Sequence, residues 1–501
     1  MCEIKARISA APESHARTSR DDPLSASLLS TALKSWLDPL KEPLPPLYLV
    51  GGSVRDLLLC RKPKDIDLVC RGAEGFARKL ADIKDAALVC MEKKAGEPCY
   101  RVVERGRGDN FLDIAELRGE TIREDLGRRD FTINAMAMEV KEEGGPGELI
   151  DPFEGRDDLN EGVIRTPSPD SFISDPLRIL RAVRFAAELG FAIEPTTQSR
   201  MALAALLLSQ VSAERIVSEL MIILDTPWSS AHFQFLDRLG ILEVVFPEIR
   251  ATKGCTQNSF HHLDVWNHSL LVMENCETIL QYLPGWFGAF SERVMENLGR
   301  NHRRPLLKLA ALLHDVGKPA TRQLNPERDR ITFYGHDNEG ARVVDAIGER
   351  LKLSHRDRTY LSSLVAEHLH VLNLSAPEVK TATRMRWFRD LMDDAIPVII
   401  LGMADIKGTL GTESTKAARM RHVEWSKSAV EEYFTSTREH LARPRLVTGS
   451  DLIGFGMKPG PDMGRVLDHI EDARIAGEIE DRESALNLAR RLLGLSGGQP
   501  S

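Results

Sequence analysis

The sequence predicts an α+β protein, with a small mixed α/β unit near the N-terminus followed by a longer, mostly helical chain. Three observations carry this. Between positions 47 and 165 the apolar residues come in short runs such as Leu47–Val50, broken by glycines and prolines, as strands are. From Asp175 onward they recur at helical spacing, as in Ile179, Leu180 and Val183. The length, 501 residues, calls for several cores rather than one.

Composition narrows the function classes. Hydrophobic residues make up 42% and charged residues 28%, which is ordinary for a globular protein. No apolar run approaches the roughly 20 residues of a membrane span, and the start lacks a basic-then-apolar leader, so no membrane partner is expected. Seven cysteines without a C-x-x-C pair suggest neither a disulfide framework nor a thiolate zinc site. A reducing, cytoplasmic compartment follows. A net charge of −8 argues against a grip on long nucleic acid through many phosphates.

Residues 1–46 are rich in Ala and Ser and end in Pro43, Pro45 and Pro46. The first part is expected to be loose, with Leu28–Leu40 a short helix against the first unit. Leu47–Val50 reads as a strand, Gly51–Gly52 as a turn, and Ser53 onward as a helix with Arg55 and Asp56 in its first turn. Beyond Pro63, Asp65-Ile66-Asp67 leads into a second strand, Leu68–Cys70. Residues two apart in a strand share a side, so Asp65 and Asp67 are expected to project together at a strand edge. Two such carboxylates repel unless a cation lies between them, and a hard ion such as Mg2+ takes oxygen ligands and substrate phosphates. Glycines let backbone N–H groups approach a phosphate, and Arg55 can fork onto its oxygens. A lone D-x-D is usually a solvated pair; with Gly-Gly and Arg beside it, the stretch points to nucleotidyl transfer.

Gly75–Ile83 reads as a helix, and Leu88–Cys90, Tyr100–Glu104 and Phe111–Ile114 as strands. Asp113 would add a third carboxylate if its strand neighbours the D-x-D strand. Arg128, Arg129 and Asp130 form a basic turn before an apolar run holding Asn134, and GGPG at 144–147 reads as a tight turn. In SDPLRILRAVRFAAELGF, Asp175 fits an N-cap, Pro176 a first helical position and Gly190 a stop. Arg178, Arg181 and Arg184 recur every three residues and form one stripe. Val211–Leu224 reads as an amphipathic helix with Ser212 as N-cap and Glu214 in its first turn, and the helix from His232 stops at Gly240.

GGSVRD followed by DIDL, then RRDFTINA and LIDPFEGRDDL, resembles the polymerase-β-like nucleotidyltransferases. Within them the match is to the class II tRNA nucleotidyltransferase (CCA-adding) and bacterial poly(A) polymerase family. The resemblance implies a nucleotidyltransferase head at 47–165, a helical neck at 166–250, and catalysis by Asp65, Asp67 and Asp113 with Mg2+. It assigns Gly51, Gly52, Arg55 and Arg129 to the nucleotide triphosphate. It makes Asp175 and Arg178 the protein template that selects CTP and then ATP, with Arg181 and Arg184 continuing toward the ligand. Ser174 stands where the family commonly has Glu, which bears on how the template helix is held.

A second chemical centre follows. His314 and Asp315 end an apolar helix before Gly317 and Pro319, and a His-Asp pair there is costly to bury unless something, such as a metal, compensates it. With His268, His336, His368 and Asp405, the order resembles the HD phosphohydrolase superfamily. This implies a second divalent metal in an HD-type helical domain at 251–425, with hydrolysis of 2′,3′-cyclic or 2′-phosphates as a possible added activity. The tail, 426–501, reads as helix, glycine turn, helix, suited to the tRNA body. The expected partners are tRNA, CTP and ATP. The leading expectation is addition of C, C and A to the tRNA 3′ end. Alternatives are a CC-adding, A-adding or poly(A)-polymerase activity, and, from another class, an HD phosphohydrolase whose head only binds nucleotide.

Overall fold

The computed structural model describes residues 23–40, 43–92, 98–106, 110–141, 145–325 and 330–495. Two compact units emerge, one of Met1–Ile223 with Leu236–Val245, the other of Leu224–Phe235 with Phe246–Ser501. The expected loose start (1–22) and Gly144 lie outside the described residues, while Pro146 and Gly147, expected in a tight turn, instead open a strand, Pro146–Ile150.

The first unit is built on a seven-stranded sheet. In chain order the strands are β1 (Leu47–Val50), β2 (Asp67–Cys70), β3 (Ala87–Glu92), β4 (Pro98–Val103), β5 (Phe111–Glu116), β6 (Ala137–Val140) and β7 (Pro146–Ile150). Their spatial order is β3-β4-β5-β2-β1-β6-β7. Only β2 and β5 run parallel, with Asp67 opposite Asp113. Leu68, Val69 and Cys70 of β2 are all buried, as befits a central strand whose two faces are covered. The helix Ala73–Lys84 lies on the sheet through Phe76, Ala77 and Leu80, spaced to share one face.

The N-terminal helix runs Pro23–Leu37, earlier than Leu28–Leu40, because Pro39 disfavours helical backbone at Asp38. It buries Leu33 and Trp36. The regular helix after Ser174 begins at Arg178, later than expected, and Leu189 precedes Gly190 in left-handed backbone (φ 75°). Pro176 and Leu177 form a tighter turn closed by i→i−3 bonds. Asp175 still caps it, its carboxylate accepting from the Leu177 N–H at 3.3 Å. Ile179, Leu180, Val183 and Phe185 of this helix are buried. The next long helix is Ala213–Asp225.

The second unit is helical apart from a hairpin, Gln323–Asn325 with Arg330–Thr332. Its core packs Val265–Gln281 and Arg303–Leu313 against His355–Leu374 and Ala395–Gly408, while His336–Arg350 lies along His355–Leu374. Gly317 is needed for close approach: a Cβ there would sit 2.3 Å from the His336 carbonyl oxygen. The tail helices Pro461–Ile475 and Arg482–Leu492 close their own small core around Leu452, Ile470 and Ala485.

Candidate active site and metal centre

A cleft of about 290 Å³ opens where β1 turns into the helix Gly52–Leu58. Gly51 adopts φ 66°, a left-handed conformation that L side chains resist, and a Cβ on it would meet Arg129 Nη1 at 2.9 Å. Asp65 lies in a bend before β2 rather than in the strand, since β2 starts at Asp67. The two carboxylates nevertheless line the same cleft. The cause is Ser53, which is buried. Its hydroxyl donates to the Asp65 carbonyl at 3.0 Å and accepts from the Asp67 N–H at 2.9 Å, fixing the D-x-D backbone. Sequence reasoning passed over Ser53, whose signal was its place immediately after the glycines.

Asp113 neighbours Asp67 across the β2–β5 ladder, the condition on which its place beside the D-x-D depended. Both its oxygens, however, are held by Arg101 (Nε and Nη2, each at 2.7 Å), whose guanidinium lies 3.8 Å from the Phe111 ring centroid. Asp113 is buried and does not line the cleft. Arg101 was missed because its role depends on strand register.

Arg55, Arg129, Arg181, Arg184 and Phe185 line the same cleft, together with Asp56, Lys64 and Asp130. Arg129 is aimed by Asp125, which accepts its Nε and Nη2 at 3.1 and 2.9 Å. Burial opposes ionisation of Asp125, but Arg129 and Arg118 together hold its carboxyl below the usual range. Arg181 donates twice to the buried Asp130, at 3.0 and 2.7 Å. That guanidinium overcomes burial and holds Asp130 well below an ordinary carboxylate. Arg184 pairs with Glu219 at 2.7 Å and Glu188 at 2.8 Å.

Asp175 and Arg178 do not line the cleft. Asp175 pairs with Arg215 at 2.9 Å, and Arg178 donates to the carbonyls of Arg129 and Arg128 at 3.0 and 2.6 Å. Burial pulls the Arg178 guanidinium below its ordinary value. The arginine stripe expected on one face is therefore divided: Arg181 and Arg184 reach the cleft, while Arg178 braces the RRD turn behind it.

In the second unit all six predicted residues converge. His268 Nε2 lies 2.9 Å from Asp405, His314 Nε2 3.1 Å from Asp315, and His336 Nε2 3.3 Å from the other Asp315 oxygen. His368 Nε2 is 3.9 Å from Asp315. The Nδ1–H groups of His314, His336 and His368 donate to the carbonyls of Ala311, Phe333 and Val365 at 2.9, 2.7 and 2.6 Å, the assignment that those bonds require. That fixes the tautomer and turns the Nε2 lone pairs inward, as metal-binding imidazoles require. The Nε2 atoms of His336 and His368 have no hydrogen-bond partner though buried. Burial and the neighbouring His314 push His368 down to about 4, so it stays neutral and able to ligate. Burial also lowers His314, but Asp315 and Asp405 outweigh it and hold that imidazole above its ordinary value. Imidazole nitrogens and carboxylates facing one another fit a divalent transition ion.

Two residues escaped the sequence reading. His261 joins His268 and Asp405 within ligand distance, and burial with Lys318 nearby pushes it down to about 3. Lys318 places its ammonium 2.7 Å from Asp315. Both stand close in sequence to predicted residues, His261 before His268 and Lys318 after Asp315. A cavity of about 450 Å³ opens onto this centre, lined also by Phe260, Arg330, Phe333 and Tyr334.

Comparison with known proteins bears on both sites. The family described as the poly A polymerase head domain matches residues 47–165, a probable RNA and SrmB-binding site of polymerase A matches 190–252, and the HD domain matches 265–406. The A-adding tRNA nucleotidyltransferase of Deinococcus radiodurans is 32% identical over 465 residues, covering 90% of this chain and 97% of that one. The CC-adding tRNA nucleotidyltransferase of Thermus thermophilus is 30% identical over 447 residues, covering 87% and 92%. A solved CCA-adding enzyme in complex with ATP superposes with a TM-score of 0.62 at 26% identity, covering 96% of each chain. With a relative matched over nearly its whole length, and the head and HD centres both in place, the chain belongs to the tRNA nucleotidyltransferase family that joins a poly(A)-polymerase-type head to an HD domain.

Proposed function

We propose that this enzyme adds C, C and A to the 3′ end of tRNA from CTP and ATP, without a nucleic-acid template. The observation that carries the reading is one cleft that gathers the D-x-D carboxylates, Asp65 and Asp67, with four arginines, Arg55, Arg129, Arg181 and Arg184. Asp65 and Asp67 would hold two Mg2+ ions; Asp113 would join them only by giving up Arg101, which takes both its oxygens. Bound Mg2+ supplies the Lewis acidity that activates the tRNA 3′-hydroxyl and neutralises the leaving pyrophosphate. Backbone N–H groups at Gly51–Gly52 approach the triphosphate, and Arg55 and Arg129 fork onto its oxygens. Arg181 and Arg184 add positive charge beside them. Selection of the base by Asp175 and Arg178 requires these side chains to exchange Arg215 and the RRD carbonyls for the base edge. The expected compartment is the cytoplasm, and among the described residues no helix is long and apolar enough to cross a membrane.

The test is a labelled tRNA ending at its discriminator base, given Mg2+ with CTP, ATP or both. Three added residues with both nucleotides, and two with CTP alone, are expected. Asp67→Asn serves as the inactive control. A second reading, a division of labour, is favoured by the A-adding and CC-adding relatives, which match most of this chain. It predicts a halt after two residues, or addition of A only to a tRNA already ending in CC.

The HD centre supports an added hydrolytic activity on 2′,3′-cyclic or 2′-phosphates, with a divalent metal held by His268, His314, Asp315, His336, His368 and Asp405. The unpartnered imidazole nitrogens carry this reading. Opening of a 2′,3′-cyclic nucleotide to its monophosphate, or phosphate release from a nucleoside 2′-phosphate, lost in His314→Ala while tRNA extension continues, is the expected result.

A further inference from the structure

Asn134 sits in the short turn Thr132–Asn134, 6% exposed, and no role in the reaction has been given to it so far. Its Oδ1 accepts from Arg55 Nη1 at 2.9 Å, and its Nδ2 donates to Asp130 Oδ1 at 3.0 Å. From Arg55 the contacts run outward to Asp56. From Asp130 they run to Arg181, Glu219, Arg184 and Glu188. Along this chain of eight side chains the charges alternate in sign, and the single neutral member is Asn134.

The neutral link has a physical reason. It lies between a guanidinium and a carboxylate. A side-chain amide meets both needs, accepting from the cation with its oxygen and donating to the anion with its nitrogen. A carboxylate here would face Asp130 across about 3 Å of buried space, where like charges repel strongly. Turning the amide over would set N–H against guanidinium and oxygen against carboxylate, so the network also fixes its orientation. The ring of Phe185 stands 5.2 Å from the Arg55 guanidinium and further limits where that group can go.

We propose that Asn134 is a positioning residue. It holds Arg55 in the direction the nucleotide triphosphate needs and ties that direction to Asp130 and Arg181 of the neck helix. The inference rests on the assignment of Arg55 to the triphosphate. Losing the amide leaves Arg55 anchored through Nε and Nη2 on the single oxygen Asp56 Oδ1, at 2.9 and 2.7 Å, about which it can pivot, and leaves Asp130 Oδ1 with the Phe131 N–H. Replacing it with a carboxylate gives Arg55 a competing anion and draws it away from phosphate.

The experiment compares Asn134→Ala, Asn134→Asp, Arg55→Ala and the double variant Arg55→Ala/Asn134→Ala. Nucleotide affinity is read twice, by KM for CTP and ATP in tRNA extension and by equilibrium dialysis of labelled ATP without tRNA. Both Asn134 variants are expected to weaken nucleotide binding by about tenfold or more, the scale of one buried polar partner lost. KM for tRNA stays unchanged and kcat falls less than affinity. The double variant matches Arg55→Ala, because Asn134 acts through Arg55. Asn134→Asp keeps the volume and so carries the comparison if Asn134→Ala folds poorly. Wild-type affinity in Asn134→Asp, or a double variant weakened by the product of the single effects, overturns the proposal. If Arg55→Ala alone binds nucleotide normally, the assignment of Arg55 fails, and this inference falls with it. If Arg55→Ala is weakened and Asn134→Asp is not, only the inference on Asn134 fails.

Discussion

Replacing Arg181 with Met should cost the head-bearing unit about 3 kcal/mol, the low end of what breaking a buried ion pair costs. Asp130 is only 8% exposed, and the Arg181 guanidinium supplies two of its hydrogen bonds. Without it the carboxylate keeps Asn134 and its own Phe131 N–H, at 3.0 and 2.9 Å. The low end applies because the Arg181 side chain is 34% exposed, so water partly fills its place. Asp130→Asn/Arg181→Met, which leaves no charge stranded, should recover about 2 kcal/mol relative to the sum of the single changes. The assay is hydrogen exchange of the β1, β2 and β6 amides against urea, which reads this unit apart from the helical one. The pH dependence gives a second reading. Arg181 holds Asp130 below the ordinary carboxylate range. Its contribution is therefore complete above the unfolded pKa, near 3.9, and is lost as pH falls through the folded value. Wild type and Arg181→Met should differ fully at pH 7 and converge in strong acid. A loss below about 0.5 kcal/mol for Arg181→Met, the size of an ordinary surface change, or strict additivity in the double variant, would refute the reasoning.

Three further outcomes follow from the same geometry. Gly51→Ala forces a side chain into left-handed backbone (φ 66°) and against Arg129, costing about 1–2 kcal/mol; it should raise KM for nucleotide, and unchanged extension kinetics would contradict the close approach. His422 is buried with neither ring nitrogen partnered, and burial pushes it down to about 4, with Asp405 opposing only weakly. The unfolded chain then binds the extra proton between about pH 6.5 and 4, so stability of the helical unit should fall as pH drops through that window by up to about 3 kcal/mol; His422→Gln should flatten the slope, and an equal slope in that variant would exclude His422 as its source. His368→Ala removes an inward-facing Nε2 from the HD centre, so metal per chain, measured by atomic emission after dialysis against Mn2+ or Ni2+, should fall while tRNA extension persists; full metal content would remove His368 from the ligand set.

Local patterns marked the first five sheet strands, though not β6 or β7, and the Gly-Gly turn, the D-x-D and the His-Asp pair, because each is written in contiguous residues. Strand β2 is apolar from Leu68 to Cys70, where both its faces are covered, and the helix Arg303–Leu313 stops where His314-Asp315 begin. Ser53 and Asn134 gave weaker signals, since a serine after glycines and an asparagine in an apolar run acquire meaning only from what lies across from them. Arg101 gave none: it meets Asp113 only because β4 and β5 pair in that register. The arginine stripe shows the same limit from the other side. Spacing put Arg178, Arg181 and Arg184 on one face, but the packing of the neck helix behind the RRD turn sends Arg178 to backbone carbonyls and the other two to the cleft.

The sequence by itself determined which groups are available: two aspartates and a set of arginines in the head, histidines and carboxylates in the helical unit, and the order in which they come. Only the tertiary structure decided which of them meet. Hydrogen bonds and ion pairs act over about 3 Å, and separations that short between residues far apart in the chain are set by strand register and helix packing, not by any local pattern.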